Sequence, residues 1–399
     1  MRLISTFVAT IIIVLITVGI GILIYSWASG YLRGNIETAI GTQELIVECT
    51  QVNLDVDYYK NFKYRIPITI KENSGKNLTD YQVLITLDTA SLISAGKMKS
   101  DCGDIRFTDS DGTTLLNYWI ESGCNSTNTR IWVKVPNIPA SGTKIIYVYY
   151  GNPSATSLSN GDLVFDFFDD FRNANSINTS KWVISAGTSN DVIAVGSGYL
   201  RIYSDGTSPV KTIQSLNAVI GINSVFETVG TLISIDNAHL SWGFMDSNQA
   251  DGNGYWPFYT SGNIYRDYKR TPGAWTLLGT GGSYTAGTYQ RHVVIRQNTN
   301  FKFYVDGTLV FDRTITEVSN KNLYLIAPRI WNENTGDIGE IRYLFVLVRK
   351  YTSPEPTYTL GNEEFLLKLL LTNLGANLGK QYLVKINYED GNVITQNIT

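Results

Sequence analysis

Residues 3–32 read LISTFVATIIIVLITVGIGILIYSWASGYL and carry no charged side chain; Arg2 precedes the run and Arg33 follows it. As a helix it would be about 45 Å long at about 1.5 Å per residue, whereas a bilayer core needs about 20 residues. A cleaved secretory signal has an apolar run of about 7–15 residues before a small-residue site. Ser26-Trp27-Ala28 offers such a site, but the run is too long for it. A helix apolar all round must be buried, in lipid or among its own copies. Ser5, Thr6, Gly19, Gly21 and Ala28 are small enough to let copies approach closely. Arg2 on the short side puts the rest of the chain outside the membrane.

The rest is strand-like. In Tyr64-Arg65-Ile66-Pro67-Ile68-Thr69-Ile70 apolar residues alternate with Arg, Pro and Thr, the period of a half-buried strand. Pro67 places that strand at an edge or a bulge. The alternation returns at Tyr81, Val83, Ile85, Leu87, at Ile131, Val133, Val135 and at Ile145, Tyr147, Tyr149. Ser74-Gly75, Asp111-Gly112 and Ser141-Gly142 punctuate these runs as turns. Short strands so spaced predict a β-sandwich.

Composition narrows the class. With 17% charged residues, 25 Tyr and 35 Gly, the chain has the profile of a β-rich extracellular protein. A net charge of −3 implies no polyanion partner, and the chain carries no basic stripe of the kind a nucleic-acid partner needs. His239 and His292 are the only histidines, too few for a His-based zinc site or triad. Cys102 and Cys124 flank one short segment and read either as a disulfide, worth about 3 kcal/mol, or as two buried thiols, with Cys49 left over. Asn77, Asn125, Asn178 and Asn397 open Asn-x-Ser/Thr sequons, candidate N-glycosylation sites in an exported chain.

Met1-Arg2 and the apolar run together resemble the start of archaeal type IV pilins and archaellins, in which a short basic leader, an apolar helix and a β-rich head follow one another. That resemblance implies a helix that leaves the membrane to polymerise with its own copies in a filament core. A second resemblance rests on YRIPITI, NLTDYQVLITLD, DIRFTDSDGTTLLNYWIE, TRIWVKVPNIPASGTKIIYVYYGNPSA and FDFFDDF. Over about residues 60–171 these resemble domain-of-unknown-function family 2341, found in secreted and surface proteins and without an established activity. Its usual neighbour is a concanavalin-like (laminin-G-like) jelly roll. Residues 165–363 fit that neighbour through Phe168-Asp169-Asp170-Phe171, Trp182, GYLRIYSDG, SVFETVGTL, LSWGFMD, GYWPFY, YQRHVVIRQ, FKFYVDGTLVFD and DIGEIRYLFVLVRKY. Asp306-Gly307 is a hairpin turn, and Ser353-Pro354-Glu355-Pro356 ends the domain.

In the tail, Tyr382, Val384, Ile386 and Tyr388 alternate, and Asp390-Gly391 turns the chain into Val393–Ile398. This ending resembles the last strands of archaeal pilin heads. The expected order is a hydrophobic helix at 1–33, a family-2341 sandwich at 60–164 and a jelly roll at 165–363. Residues 34–59 and 364–399 are expected to form an immunoglobulin-like β-domain into which the other two are inserted. The alternative is that the tail adds strands to the jelly roll or to another subunit. The fold class is mostly β, an N-terminal hydrophobic α-helix followed by β-sandwich domains.

Jelly rolls of this type include glycoside hydrolases, which need paired carboxylates across a cleft. Asp337-Ile338-Gly339-Glu340 does not match the Glu-x-Asp-x-x-Glu strand of laminarinase-like enzymes, and side chains three apart on a strand face opposite ways. No enzyme is expected. For sugar binding the candidates are Trp242, Tyr255, Trp256 and Tyr259, with Asp246 and Asn248 as polar partners; Tyr265 and Trp275 lie in the same segment. The competing reading is that these aromatics fill the core; Trp256, followed by Pro257, is the one expected at the surface. Asp109-Ser110-Asp111-Gly112 reads as a turn rather than a calcium loop, and Asp169 and Asp170 do not complete a site. No cofactor is expected. These readings predict a cell-surface filament subunit that displays a glycan-binding, adhesive head. The alternative is a membrane-anchored glycan-binding protein that does not polymerise, and a weaker third reading is an anchored glycoside hydrolase.

Overall fold

A computed structural model describes residues 62–184, 192–204, 212–235, 238–240, 242–247, 252–260, 263–327, 331–332, 339–365, 382–387 and 393–398. The hydrophobic run, residues 34–59 and Cys49 lie outside them.

The alternating segments form the strands β1 (Tyr64–Lys71), β2 (Leu78–Leu87), β3 (Arg106–Thr108), β4 (Leu115–Leu116), β5 (Tyr118–Ser122), β6 (Thr129–Ile138) and β7 (Thr143–Tyr150). A short helix, α1 (Thr89–Ser94), starts where Asp88 accepts the Ser91 amide at 3.0 Å. One sheet runs β1-β7-β3-β4 and faces a second of order β2-β6-β5. Ile66, Ile68, Ile70, Ile146 and Val148 from the first meet Tyr81, Val83, Ile85, Ile131 and Val133 from the second in one core. This is the period of two put to use: alternate residues go in, and their neighbours face out.

A second helical turn, α2 (Gly161–Val164), leads into the larger sandwich. Its strands are β8 (Phe167–Asp170), β9 (Trp182–Ile184), β10 (Val192–Gly196), β11 (Tyr199–Ser204), β12 (Ile213–Ile220), β13 (Asn223–Ile235), β14 (Ala238–Leu240), β15 (Gly243–Met245) and β16 (Gly254–Thr260). They continue with β17 (Ile264–Thr271), β18 (Ala274–Ser283), β19 (Gln290–Gln297), β20 (Asn300–Val305), β21 (Thr308–Thr314), β22 (Leu323–Ala327), β23 (Trp331–Asn332) and β24 (Gly339–Lys350). An eight-stranded sheet runs β10-β11-β24-β13-β19-β20-β21, with β8 also on β24. A nine-stranded sheet runs β18-β17-β16-β15-β22-β12-β9, with β14 and β23 at its margin. Among the described residues no helix is long and apolar enough to cross a membrane.

One residue sets how the sandwiches meet. On β24, Tyr343 pairs with Gly230 and Phe345 with Val229, so Leu344 is an extra residue. The bulge restarts the alternation. Ile341, Tyr343, Val346 and Val348 all face the inner core, while Phe345 and Leu347 point out of the sandwich. There they meet Trp119 and Trp132 from the outer face of β5 and β6, with Val164, Phe165 and Phe168 filling between. The three-stranded sheet is therefore covered on both faces. Polar links rim this seam: Arg172 donates to the Glu121 carbonyl, and Gln82 donates to the Val164 carbonyl at 3.0 Å and accepts the Lys350 amide at 3.0 Å.

After β24 the chain returns to the first sandwich. The strands β25 (Thr357–Leu360) and β26 (Glu364–Phe365) both pair with β1. This corrects two expectations. Residues 357–363, assigned to the jelly roll, add to the first sheet instead. And β1 is interior to that sheet, not an edge. Pro67 falls at the break between the two returning strands, where its carbonyl accepts the Gly361 amide at 2.8 Å. A side chain at 361 would come within 2.6 Å of the Pro67 ring, so the crossing requires glycine. The tail strands β27 (Tyr382–Asn387) and β28 (Val393–Ile398) pair with each other and, among the described residues, with no other strand. Their expected pairing with 34–59 falls on residues outside the description.

Candidate functional site

Strand parity divides the sequence candidates. On β16, Tyr255 and Tyr259 point into the larger core and are 0% and 4% exposed. Trp242 is also in that core, 5.0 Å from the Tyr343 ring and 5.7 Å from Trp182. Tyr265 joins them, and Tyr259 and Tyr265 hydrogen-bond His292 Nε2 at 2.7 and 3.2 Å. Burial pushes His292 down to about 4, so the ring is neutral inside the core. Trp242, Tyr255 and Tyr259 are thus corrected from ligand platforms to core residues: a ring enclosed on both faces has none left for a sugar. Asp246 is occupied as well. It accepts the Asn253 amide at 2.7 Å, Asn253 Nδ2 at 3.0 Å and Lys321 Nζ at 2.5 Å, and this bonding holds its carboxyl below the usual range against the cost of its burial. Asn248 lies outside the described residues.

Trp256, between two inward tyrosines, takes the outer face of the nine-stranded sheet. It joins Met245 and Ile326, with Tyr268, Trp275 and Tyr324 packed against them. The indole lies flat over Gly243, where any Cβ would come within 2.1 Å of the ring. Its N–H donates to Met245 Sδ at 3.1 Å. Trp256 is only 2% exposed, so it is the floor of this face, not its surface. The accessible rings are half-buried ones: Tyr268, Trp275 and Tyr324.

Register places them in rows. Leu277 pairs with Tyr268 and Tyr268 with Trp256; one step along the strands, Trp275 pairs with Arg270. Across the sheet, Tyr324 pairs with Met245 and Ile326 with Gly243. From β18 to β22 the row crosses four strand gaps, about 19 Å at about 4.8 Å per gap. Trp275 stands edge-on to Trp256 at 5.6 Å and to Tyr268 at 6.4 Å, and the Arg270 guanidinium lies 5.2 Å above its ring. Leu277, 51% exposed, extends the apolar strip to the sheet edge. Sequence reading missed Tyr268, Tyr324 and Leu277. The signal that could have found Tyr268 is its parity: within YRDYKR it shares the phase opposite to the inward Tyr265.

A concavity of about 340 Å³ lies at the seam between the sandwiches, beside Tyr81, Gln82, Trp132, Arg349, Glu355 and Tyr358. Its polar groups serve one another. Tyr81 donates to Glu355 at 2.8 Å, Arg349 pairs with Glu355, and the Thr86 amide donates to the Tyr358 hydroxyl at 2.7 Å. This is a fastening of the returning segment 355–358 more than a vacant site.

The remaining candidates are placed as follows. Cys102 and Cys124 form a disulfide with Cα atoms 6.0 Å apart. Asn77, Asn125 and Asn178 are exposed, and Asn397 is in β28. Asp111 accepts the Thr113 and Thr114 amides at 2.8 Å, which caps a hairpin turn and pulls its carboxyl down to about 2. Asp169 accepts Trp182 Nε1 at 2.5 Å, and Asp170 grips Arg172 at 2.6 Å. Glu340 is held by Arg201 and Arg342, each at 2.7 Å; Asp337 lies outside the described residues. Among the described residues no cluster of three His, Cys, Asp or Glu side chains could hold a metal.

Comparison with known proteins finds a similarity over part of the chain. Residues 101–185 match the family described as Domain of unknown function (DUF2341). No curated protein matches. Among solved structures, the carbohydrate-binding module CBM66 from Bacillus subtilis is similar at 18% identity and TM-score 0.33, over 43% of this chain and 98% of its own. The Bacillus licheniformis β-glucanase is similar at 17% and 0.36, over 46% and 98%. The endo-β-1,3-glucanase from Pyrococcus furiosus is similar at 14% and 0.39, over 48% and 95%. These neighbours have concanavalin-like jelly-roll folds, and at such distances none of them transfers an activity. They do correct the leading expectation. The three neighbours named above are a carbohydrate-binding module and glucanases rather than filament subunits, and the pilin-like run lies outside the described residues.

Proposed function

We propose that this chain is a surface glycan-binding protein that does not polymerise, anchored by its hydrophobic run, and that it takes polysaccharide on the outer face of the nine-stranded sheet. The observation that carries this is the row of half-buried rings, Tyr268, Trp275 and Tyr324, braced from below by Trp256. A sugar offers a flat apolar face and a rim of hydroxyls, and fixed aromatic rings bind the former at low entropic cost. The row is long enough for several linked sugars, as a polymer ligand requires. An exterior setting is supported by the Cys102–Cys124 disulfide, a bond kept in oxidising compartments.

Binding without hydrolysis is the reading we favour. A glycosidase places two carboxyl groups about 5–9.5 Å apart across its groove. The described residues of the aromatic row carry none, and Glu340, the sequence candidate, sits on the other sheet between two arginines. The test is binding of the full chain to a panel of immobilised polysaccharides, with release of reducing sugar measured alongside. Retention on at least one polysaccharide without sugar release is expected. No retention on any would overturn the proposal, and sugar release would overturn its non-enzymatic half.

A further inference from the structure

The aromatic row is flanked by positive charge. On β17, Tyr265 and Asp267 face the interior, 1% and 0% exposed. Arg266, Tyr268 and Arg270 therefore share the outer face, with an arginine Cα about 7 Å along the strand on either side of Tyr268. Asp267, the one carboxylate of this strand, cannot neutralise them. It is turned inward, where Arg313 pairs with it at 2.7 Å and the Tyr255 hydroxyl reaches it at 3.3 Å. Arg270 is almost covered, with its guanidinium over the Trp275 ring. Arg266 is half-exposed and makes no hydrogen bond or ion pair with the described residues. Among the described residues, two other cations near this sheet are already paired: Lys321 with Asp246 and Lys269 with Glu317. On a chain with net charge −3, a guanidinium with no carboxylate partner among the described residues, beside half-buried rings, is a local exception.

We infer that this face selects acidic polysaccharides, whose repeating carboxylate or sulfate groups pair with Arg266 while the sugar rings lie on Tyr268 and Trp275. The inference rests on the glycan-binding reading above and adds the ligand class. A guanidinium binds either anion through two parallel N–H groups, which an ammonium cannot do.

The probes are polygalacturonate, dextran sulfate, neutral dextran, neutral laminarin and double-stranded DNA, each titrated against the full chain at low and high salt. Expected is at least tenfold tighter binding of an acidic polysaccharide than of either neutral one, weakening as salt rises. Polygalacturonate alone would name a carboxylate ligand, dextran sulfate alone a sulfate ligand. Arg266→Gln should lower acidic-polysaccharide affinity about tenfold, the loss of one charge-assisted bond, and flatten the salt dependence. Arg266→Glu should abolish it, with an unchanged melting temperature showing that the fold is intact. Equal binding of neutral and acidic polysaccharides would overturn the selectivity and leave glycan binding standing. DNA bound as tightly as polygalacturonate would overturn it too, because the face would then be reading charge alone. No binding to any polysaccharide would end both readings.

Discussion

Arg291 of the larger sandwich reaches across the seam to Glu121 of the smaller one, whose carboxylate is fully buried. Arg130 and the Trp132 indole N–H complete its coordination at 2.9 and 2.8 Å, and Glu227 shares both arginines. Glu121→Gln should lower stability by about 3 kcal/mol, since removing one partner of a buried pair leaves the other charge uncompensated. Urea unfolding of the full chain measures this. An unchanged midpoint would mean that the apolar seam alone holds the sandwiches together.

The buried imidazole gives a pH signature. His292 is pushed down to about 4 inside the core, whereas in the unfolded chain it titrates near its ordinary 6.5. Between those values the unfolded state binds the extra proton, so stability rises with pH through this window. The contribution is complete above about 6.5, is lost as pH falls to about 4, and amounts to about 3 kcal/mol. His292→Gln should flatten the melting temperature between pH 4 and pH 6.5. A slope equal to that of the parent would assign the pH dependence to other groups.

The Cys102–Cys124 bridge closes a loop with a sequence separation of 22. Replacing both cysteines by serine should cost about 3 kcal/mol on the loop-entropy account. Unfolding with and without reductant should show the same loss in the parent protein, and the double variant should be indifferent to reductant.

Trp275→Ala and Tyr268→Ala should each weaken polysaccharide binding by about tenfold, equivalent to about 1.4 kcal/mol. Both rings are half-buried, so circular dichroism should stay unchanged. Trp242→Phe, a core change remote from the outer face, should leave binding alone while moving the melting temperature. If it alone removed binding, the site would have been placed on the wrong side of the sheet.

Gly243 allows Trp256 to lie flat. Gly243→Ala should cost about 1–3 kcal/mol as an overpacked contact and lift the indole, with a red shift in tryptophan emission.

The period-two runs of β1, β2, β6 and β7 could be read directly from the sequence because each buries one face against a single core. The larger sandwich was harder to read at its functional surface. Tyr255, Trp256, Tyr259, Tyr265 and Tyr268 are similar in composition, and only the sheet they join decides which go inward. The sequence singles out Trp256 as the exposed one; its parity is outward, yet neighbours across the sheet cover it. Leu344 shows why the seam was invisible. A bulge is defined by pairing with a distant strand, and the residue carries no mark of it in its own sequence. Arg296 was equally silent: it is 1% exposed and spends its donors on the carbonyls of Asn298, Ile220, Gly221, Val318 and Lys321. Nothing local distinguishes such an arginine from a solvated one.

Tyr64 lies opposite Phe365, and Arg65 opposite Glu364, its ion-pair partner at 2.5 Å. The two sandwiches between them therefore start and finish at neighbouring points on adjacent strands. Tension between the segment before residue 62 and the segment after residue 365 would run across that short antiparallel contact and bypass both cores. The sandwiches hang beside the line of force as a pendant. A pull between the two flanking segments loads the β1–β26 contact alone, whereas a pull through a ligand on the nine-stranded sheet loads the larger sandwich itself.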